Sequence, residues 1–197
     1  MANRREFLQL SAAALGLMTV PHRVLAGLTP DLNNMPFYRV FYDERYEDSR
    51  VFAGEARNMG AVTTAITGDV GELWYGGLRK QLSEQSGMIA GLTTETDAFL
   101  IELLSHDVFY HQVFRGEHRF RDDNLIGHRI DGPEQFLEQT SSLPLNREYW
   151  STDLARLFSL YDNVGPTYPR VSRHTHGDQD ASTLKLVSWI IAPLSRK

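Results

Sequence analysis

The sequence predicts an α/β fold, a three-layer domain with a mostly parallel sheet of about four or five strands flanked by helices. Short segments rich in aromatic and β-branched residues alternate with segments whose apolar residues recur every three or four positions. Glycines and capping residues separate the two kinds of segment. The length of 197 residues, with 42% hydrophobic and 23% charged residues, is typical of one ordinary folded domain.

Four segments of the N-terminal half have the composition of strands. They are 37–42, 61–67, 88–92 and 109–114. Helical spacing marks the segments between them. The first of these carries Phe52, Ala56 and Met59 on one face and ends at Gly60. Strands and helices that alternate at this spacing imply right-handed crossovers, and therefore parallel strands.

The second and third helices have further signals of their own. The second has large apolar residues on one face, and the pair Gly76–Gly77 is a weak point in its middle. The third begins at Thr94, which we expect to form a capping box with Asp97. Its segment 98–104 is apolar nearly all round, as in a helix that packs on several sides.

The second half of the chain is less regular. It contains a short helix at 134–140 and a longer amphipathic helix that runs from a cap at Asn146 to about Tyr161. A polar loop over 162–182 precedes a last strand at 184–191. We therefore expect a single α/β domain over 27–197, with an irregular C-terminal part.

The first 26 residues resemble a twin-arginine export signal. The resemblance rests on Arg4, Arg5, Phe7 and Leu8. The apolar stretch 8–20 that follows is too short to span a bilayer, which takes roughly 20 residues. Val-Leu-Ala at 24–26 is a small-residue pattern that places cleavage after Ala26. The alternative is a short amphipathic N-terminal helix that carries two arginines.

The resemblance implies a destination and a partner. The twin-arginine translocase passes folded proteins, so this chain would fold first, cross with that translocase, and keep no stable membrane anchor after cleavage. We expect the mature protein in the periplasm or outside the cell. Export in the folded state suits a protein that receives a cofactor in the cytoplasm, travels with a redox enzyme, or folds fast. The sequence identifies no cofactor.

Charge and cysteine content exclude several classes of function. Removal of residues 1–26 leaves 17 basic and 24 acidic side chains, a net charge of −7. Such a chain has no basic field that would attract nucleic acid or anionic lipid. The absence of cysteine excludes disulfides, thiolate zinc sites and cysteine-ligated iron–sulfur clusters. The sequence also lacks the Gly-x-Ser-x-Gly elbow of hydrolases and the Gly-x-Gly-x-x-Gly fingerprint of dinucleotide sites.

Polar side chains follow each of the four predicted strands. In chain order they are Asp43 and Arg45, then Asp69, then Thr93 and Thr94, and then Arg115, Glu117 and His118. Because open parallel sheets bind ligands outside the carboxyl ends of their strands, we expect these groups along one rim. Asp69 or Glu117 would act as acid and base with His118 assisting, and the other five would bind the ligand. The alternative is that they are caps, turn residues and ion pairs, with 115–129 a solvated charged loop.

A second candidate site lies in the polar loop. His174 and His176 alternate with other residues ahead of Asp178 and Asp180, so an extended segment would point all four to one side. Such a set suits zinc, iron or manganese. The alternative is a polar loop without a metal.

Two functions from different classes remain open. One is an exported periplasmic accessory or small-ligand-binding protein, in possible association with a redox enzyme. The other is a small enzyme with an acid/base site or a His/Asp metal site at the carboxyl ends of the strands. An enzyme needs titratable groups within hydrogen-bond reach around a concave site, whereas an accessory protein needs a flat apolar patch.

Overall fold

A computed structural model describes residues 35–121, 124–141, 143, 145, 148–161, 170–174 and 184–194. The strands are β1 (Phe37–Asp43), β2 (Thr63–Ile66), β3 (Met88–Thr94), β4 (Tyr110–Arg121), β5 (Asn124–Pro133), β6 (Arg170–His174) and β7 (Leu184–Pro193). The helices are α1 (Glu47–Asn58), α2 (Val70–Leu73), α3 (Arg79–Glu84), α4 (Glu95–Ser105), α5 (Glu134–Thr140) and α6 (Trp150–Ser159). A π-helical turn, Trp74–Leu78, joins α2 to α3. Within these ranges, none of the helices is long and apolar enough to cross a membrane.

The predicted α/β class is confirmed, and its sheet is mixed. The described strands form one sheet in the order β2-β1-β3-β7-β4-β5-β6. Parallel pairing is confined to β2, β1 and β3, and the remaining pairs are antiparallel. The sheet therefore has seven strands where about four or five were expected. Because β7 is antiparallel to both β3 and β4, strand β4 still points in the same direction as β1, β2 and β3.

The prediction of a solvated charged loop at 115–129 is wrong. This segment forms most of a long hairpin in which β4 pairs with β5, so the fourth strand continues well past Phe114. Its residues alternate between the two faces of the sheet, as strand geometry requires. Gly116, His118 and Phe120 are buried on one face, while arginines and Glu117 stand on the other. The charges pair along each strand, as Arg115 and Arg119 do with Glu117 and Arg129 does with Asp131.

The polar loop predicted over 162–182 also contains a strand. Residues Arg170–His174 form β6, which pairs antiparallel with β5 at the sheet edge. This strand is short and rich in charged residues, and such composition is common where a strand must not attract further strands. The charged residues that indicated a loop over this segment are therefore those of a strand at the edge of the sheet.

Helices cover both faces of the sheet and give the expected three layers. On one face, named here the α1 face, the core includes Phe52 of α1, Phe136 of α5 and Phe158 of α6. On the other, the α4 face, it includes Trp74 of the π-helical turn and Ile101 of α4. Aromatic rings pack edge to face on the α1 face; the ring centroids of Phe52 and Phe158, for example, lie 5.6 Å apart.

Close packing on the α4 face explains a glycine in the middle of β3. The ring of Trp189 stacks on Phe41 with centroids 6.0 Å apart, and it lies directly over Gly91. A Cβ at Gly91 would overlap the Trp189 ring and would also come within 2.9 Å of the Phe41 carbonyl oxygen. The glycine therefore lets an aromatic pair bury itself against the strand.

Candidate functional site

The first three strands form a topological switch point. The chain passes from β1 to β2 on one side and then returns to β3 on the other side of β1. Helix α1 follows β1 on one face, and α2, the π-helical turn and α3 follow β2 on the other. Open α/β sheets bind ligands at such points, outside the carboxyl ends of the two diverging strands. The predicted rim therefore begins at the ends of β1 and β3.

Four of the predicted ligand-binding residues meet at this point. Arg45 donates from Nη2 to Asp43 Oδ2 at 2.6 Å and from Nε to Asp43 Oδ1 at 2.9 Å. Asp97, in the first turn of α4, lies 3.6 Å from the same guanidinium. The hydrogen bond to Asp43, and then the charge of Asp43, raise the pKa of Arg45. Asp43 is buried, so Arg45 covers a carboxylate that would otherwise be costly inside the protein.

The hydroxyl groups beside this ion pair are also engaged. Thr94 accepts from the Asp97 amide at 3.2 Å and donates to the Asp97 carboxylate at 2.7 Å, which confirms the predicted cap of α4. Thr93 accepts from Trp189 Nε1 at 3.1 Å. Ser49 accepts from the Asp43 amide and donates to the Leu92 carbonyl. These groups therefore satisfy one another and hold the ends of β1 and β3 together.

Asp69 lies apart from this cluster and lines a cavity. It follows β2 and caps α2 by accepting from the Gly71 amide at 2.7 Å. The cavity has a volume of about 400 Å³ and lies on the α4 face of β1 and β2, against the π-helical turn. Its polar lining includes Arg39, Asp69, Glu72 and Gln81, and its apolar lining includes Phe41, Ile66, Leu73 and Leu78.

Arg39 is the most unusual group in this cavity. Its Nη1 donates to Thr64 Oγ1 at 3.2 Å, and its guanidinium carbon lies 5.5 Å from the centre of the Tyr38 ring. Its Nε is buried and has no hydrogen-bond partner among the described residues, nor does a described carboxylate form an ion pair with it. A half-buried cation without a counterion is costly. No sequence motif marked Arg39, although a lone charge within the strand 37–42 was a signal that could have identified it.

The π-helical turn shapes the wall of the cavity. The weak point predicted at Gly76–Gly77 lies inside this turn. Gly77 has a φ of 156° and a ψ of −25°, a backbone conformation that residues with a side chain rarely adopt. Because the backbone angles of Gly77 are not helical, this segment is a kink between two helices rather than a continuous π-helix. Both glycines line the cavity, so main chain rather than side chain faces it there.

Glu117 and His118 do not share an environment with Asp69 or with each other. As neighbours on β4, they point to opposite faces of the sheet. Glu117 lies 3.6 Å from both Arg115 and Arg119, and Arg115 also lies 3.4 Å from Glu95 of α4. Register places Glu117 and Thr93 at the same level, each beside Val187 of the intervening strand. The three residues predicted as catalytic are therefore not brought together.

His118 is buried in a chain of polar side chains on the α1 face. Its Nδ1 lies 2.7 Å from His128 Nδ1, and its Nε2 lies 2.8 Å from Ser188 Oγ. The Trp150 ring packs on it with centroids 4.4 Å apart. Burial, and then the neighbouring His128, hold the pKa of His118 well below 6.5. The side chain is thus a neutral, hydrogen-bonded core residue.

The lack of a side chain at Gly116 leaves space for the hydrogen bond between His118 and Ser188. A Cβ at Gly116 would collide with the hydroxyl of Ser188. Ser188 belongs to β7, and the 70 positions that separate it from His118 hide the contact from any local sequence pattern. Both ring nitrogens of His118 have hydrogen-bond partners within the core.

The predicted metal ligands fall largely beyond the described part of the chain. His174 ends β6, paired in register with Arg129, whereas His176 lies outside the described residues. Among the residues that are described, no group of three His, Cys, Asp or Glu could hold a metal ion. The export signal at 1–26 also lies outside the described residues.

A second cavity of about 580 Å³ lies where β4 begins and β7 ends. Its lining includes the apolar side chains Leu82, Phe109 and Leu194, together with Tyr110 and several polar residues. Tyr110 donates to the Gln85 carbonyl at 3.1 Å and accepts from the Gly87 amide, so its hydroxyl is engaged. The charged groups at this cavity are exposed to solvent, in contrast with Arg39.

Comparisons with protein-family models, with curated proteins and with solved structures find no match to this chain. The candidate site therefore depends on the geometry of the chain itself. That geometry favours the cavity at Arg39 over the satisfied cluster at Asp43.

Proposed function

We propose that this protein binds a small ligand with a negatively charged group, and that Arg39 holds that group in the cavity against the π-helical turn. One observation carries the proposal: the Arg39 guanidinium is half-buried, lines the cavity, and keeps a buried Nε without a partner among the described residues. An anionic acceptor would satisfy the Nε and compensate the charge. Charge-assisted hydrogen bonds of this kind are among the strong ones in proteins.

The size and composition of the cavity support the same function. Its volume of about 400 Å³ falls within the range of roughly 300–1,000 Å³ that small-molecule sites occupy. Apolar side chains form part of its lining, and Arg39, Asp69, Glu72 and Gln81 supply polar groups that can fix the orientation of a ligand. Thr64 and the Tyr38 ring hold the arginine in place before a ligand arrives.

This proposal selects one of the two functions predicted from the sequence. The acid/base enzyme requires Asp69, Glu117 and His118 around a common reacting atom. Those residues lie in three separate environments, so we favour ligand binding. Export to the periplasm and association with a redox enzyme remain predictions.

The test is an amide NMR titration of the mature protein with 4-methylpentanoate, a small carboxylate with an apolar body. We expect saturable shifts that are largest at the amides of Gly68, Gly76 and Gly77, which line the cavity. The variant Arg39→Met should lose about tenfold or more in affinity, since it keeps the aliphatic stem and removes the charged donor.

Arg57→Met is the matched control. Arg57 also donates to a threonine hydroxyl on β2, from Nη2 to Thr63 Oγ1 at 2.7 Å, but it is exposed and does not line the cavity. This variant should bind 4-methylpentanoate as the wild type does. Shifts that map outside the cavity, or unchanged affinity in Arg39→Met, would overturn the proposal.

A further inference from the structure

We infer that the ligand of this cavity is a small zwitterion of the amino-acid type with an apolar side chain, an inference that rests on the proposed function. The cavity carries two carboxylates, Asp69 and Glu72, besides the guanidinium of Arg39. Within the described part of the chain, none of these three charges forms an ion pair, whether with each other or with a neighbour. The cavity therefore presents separate sites of opposite charge.

The balance of these charges argues against a plain carboxylate as the ligand. With one arginine and two carboxylates, the lining has a formal charge of −1. A ligand that carries only a negative group would satisfy Arg39 but would add to the excess of negative charge. An ammonium group on the same ligand would remove that repulsion and would supply donors for the carboxylates.

The positions of the charged groups separate the two ends of such a ligand. Arg39 is half-buried with its Nε sealed from solvent, whereas Asp69 and Glu72 are exposed at the mouth of the cavity. The carboxylate of the ligand would therefore point inward and its ammonium group outward. Asp69 Oδ1 already accepts the Gly71 amide, so Oδ2 is the oxygen that would receive the ammonium.

The remaining lining specifies the rest of the ligand. Phe41, Ile66 and Leu78 are buried in the core of the α4 face and contribute apolar surface to the cavity. Side chains of this kind suit an aliphatic group rather than a polar one. The ligand class is thus an aliphatic α-amino acid or a molecule of the same charge pattern.

The experiment is a calorimetric titration of the mature protein with three compounds that share one isobutyl group. L-leucine carries both charges, 4-methylpentanoate lacks the ammonium, and 3-methylbutylamine lacks the carboxylate. We expect L-leucine to bind about tenfold or more tightly than either of the other two, since each lacks one charge-assisted set of hydrogen bonds.

Two variants assign the effect to the carboxylates. Glu72→Gln and Asp69→Asn should each weaken L-leucine binding by about threefold to tenfold while 4-methylpentanoate binds as well as before or better. Asparagine caps a helix as well as aspartate does, so Asp69→Asn preserves the start of α2. Glu84→Gln, at an exposed position of α3 that does not line the cavity, is the control.

The outcomes separate this inference from the proposed function. If 4-methylpentanoate binds as tightly as L-leucine and still depends on Arg39, the zwitterion is wrong and the anion site stands. If none of the three compounds binds, both are wrong. Tighter binding of L-leucine that is insensitive to Glu72→Gln and to Asp69→Asn would also overturn the inference.

Discussion

Single residues in this sheet show two ways to bury a polar side chain. His118 has both ring nitrogens bonded within the core, to His128 and to Ser188. Arg39 instead keeps a buried Nε without a described partner and faces a cavity. A closed set of hydrogen bonds stabilises one structure, whereas an open one costs free energy until a ligand completes it. This difference is the reason we place the site at Arg39.

Acidification is expected to destabilise the fold through His118. Its folded pKa is well below 6.5, the ordinary value that the unfolded chain retains. Below about pH 6.5 the unfolded state therefore binds a proton that the folded state does not. The free energy of unfolding should decrease by up to about 1.4 kcal/mol per pH unit from there down to the folded pKa, and this contribution is absent above about pH 7.5. Urea unfolding at a series of pH values measures it.

Replacement of the histidine tests this assignment. His118→Asn cannot titrate, so its stability should depend less steeply on pH below 6.5. It should also be less stable at neutral pH by about 2–3 kcal/mol, since it loses the bond to Ser188 and the packing on Trp150. His106→Asn, at an exposed position, is the control. Equal slopes in wild type and His118→Asn would contradict the prediction.

The sequence predicted which residues lie close together where strand topology alone determines it. Asp43, Arg45, Thr93 and Thr94 do meet, because β1 and β3 are parallel neighbours that end at the same edge. What the sequence could not show is that Arg45 and Asp43 satisfy each other there. That outcome depends on side-chain conformations, which no spacing rule determines.

Among the elements, those with one clear hydrophobic period were predicted within a few residues. The strand predicted at 37–42 is Phe37–Asp43, and the helix predicted from the Thr94 cap is Glu95–Ser105. The hairpin of β4 and β5 was missed because its buried face mixes histidines and glycines with apolar residues, and its other face pairs arginines with Glu117. A run of charged residues in a sequence suggests a solvent-exposed segment. Charged side chains that pair with their neighbours can instead lie in a partly buried strand.

The π-helical turn is an element on which the cavity should depend. Gly77→Ala places a side chain at a φ of 156°, so we expect it to destabilise the fold by about 1–3 kcal/mol and to weaken ligand binding by reshaping the cavity wall. Gly54→Ala, in α1 and outside the cavity lining, is the control, because a Cβ there meets nothing within 4 Å among the described residues. This control should be neutral or more stable by up to about 1 kcal/mol. Urea unfolding and titration with 4-methylpentanoate measure the two effects, and equal behaviour of the two variants would refute the role of the turn.

The whole molecule combines a parallel α/β unit with an antiparallel extension. The cavity lies beside β2, a four-residue strand at the sheet edge, where a ligand can approach from the side. On the opposite side of β7, strands β4, β5 and β6 form an antiparallel region that α5 and α6 cover on the α1 face. The cavity and the bulk of the aromatic core therefore lie on different faces of one sheet. The sequence predicted the parallel unit but not the antiparallel extension, and the face on which a cavity opens depends on how the helices pack.

Export of the whole molecule is the prediction that the N-terminal residues carry. If residues 1–26 act as a twin-arginine signal, Arg4→Lys combined with Arg5→Lys should leave the uncleaved precursor in the cytoplasm, although both positive charges are retained. Fractionation of cells and the mass of the recovered protein measure this, with cleavage after Ala26 expected for the wild type. Arg23→Lys, which changes an arginine outside the Arg-Arg pair, should still be exported and cleaved. Periplasmic recovery of the double variant at the wild-type level would show that the arginine pair is not an address, and an uncleaved wild-type chain would favour the amphipathic helix instead.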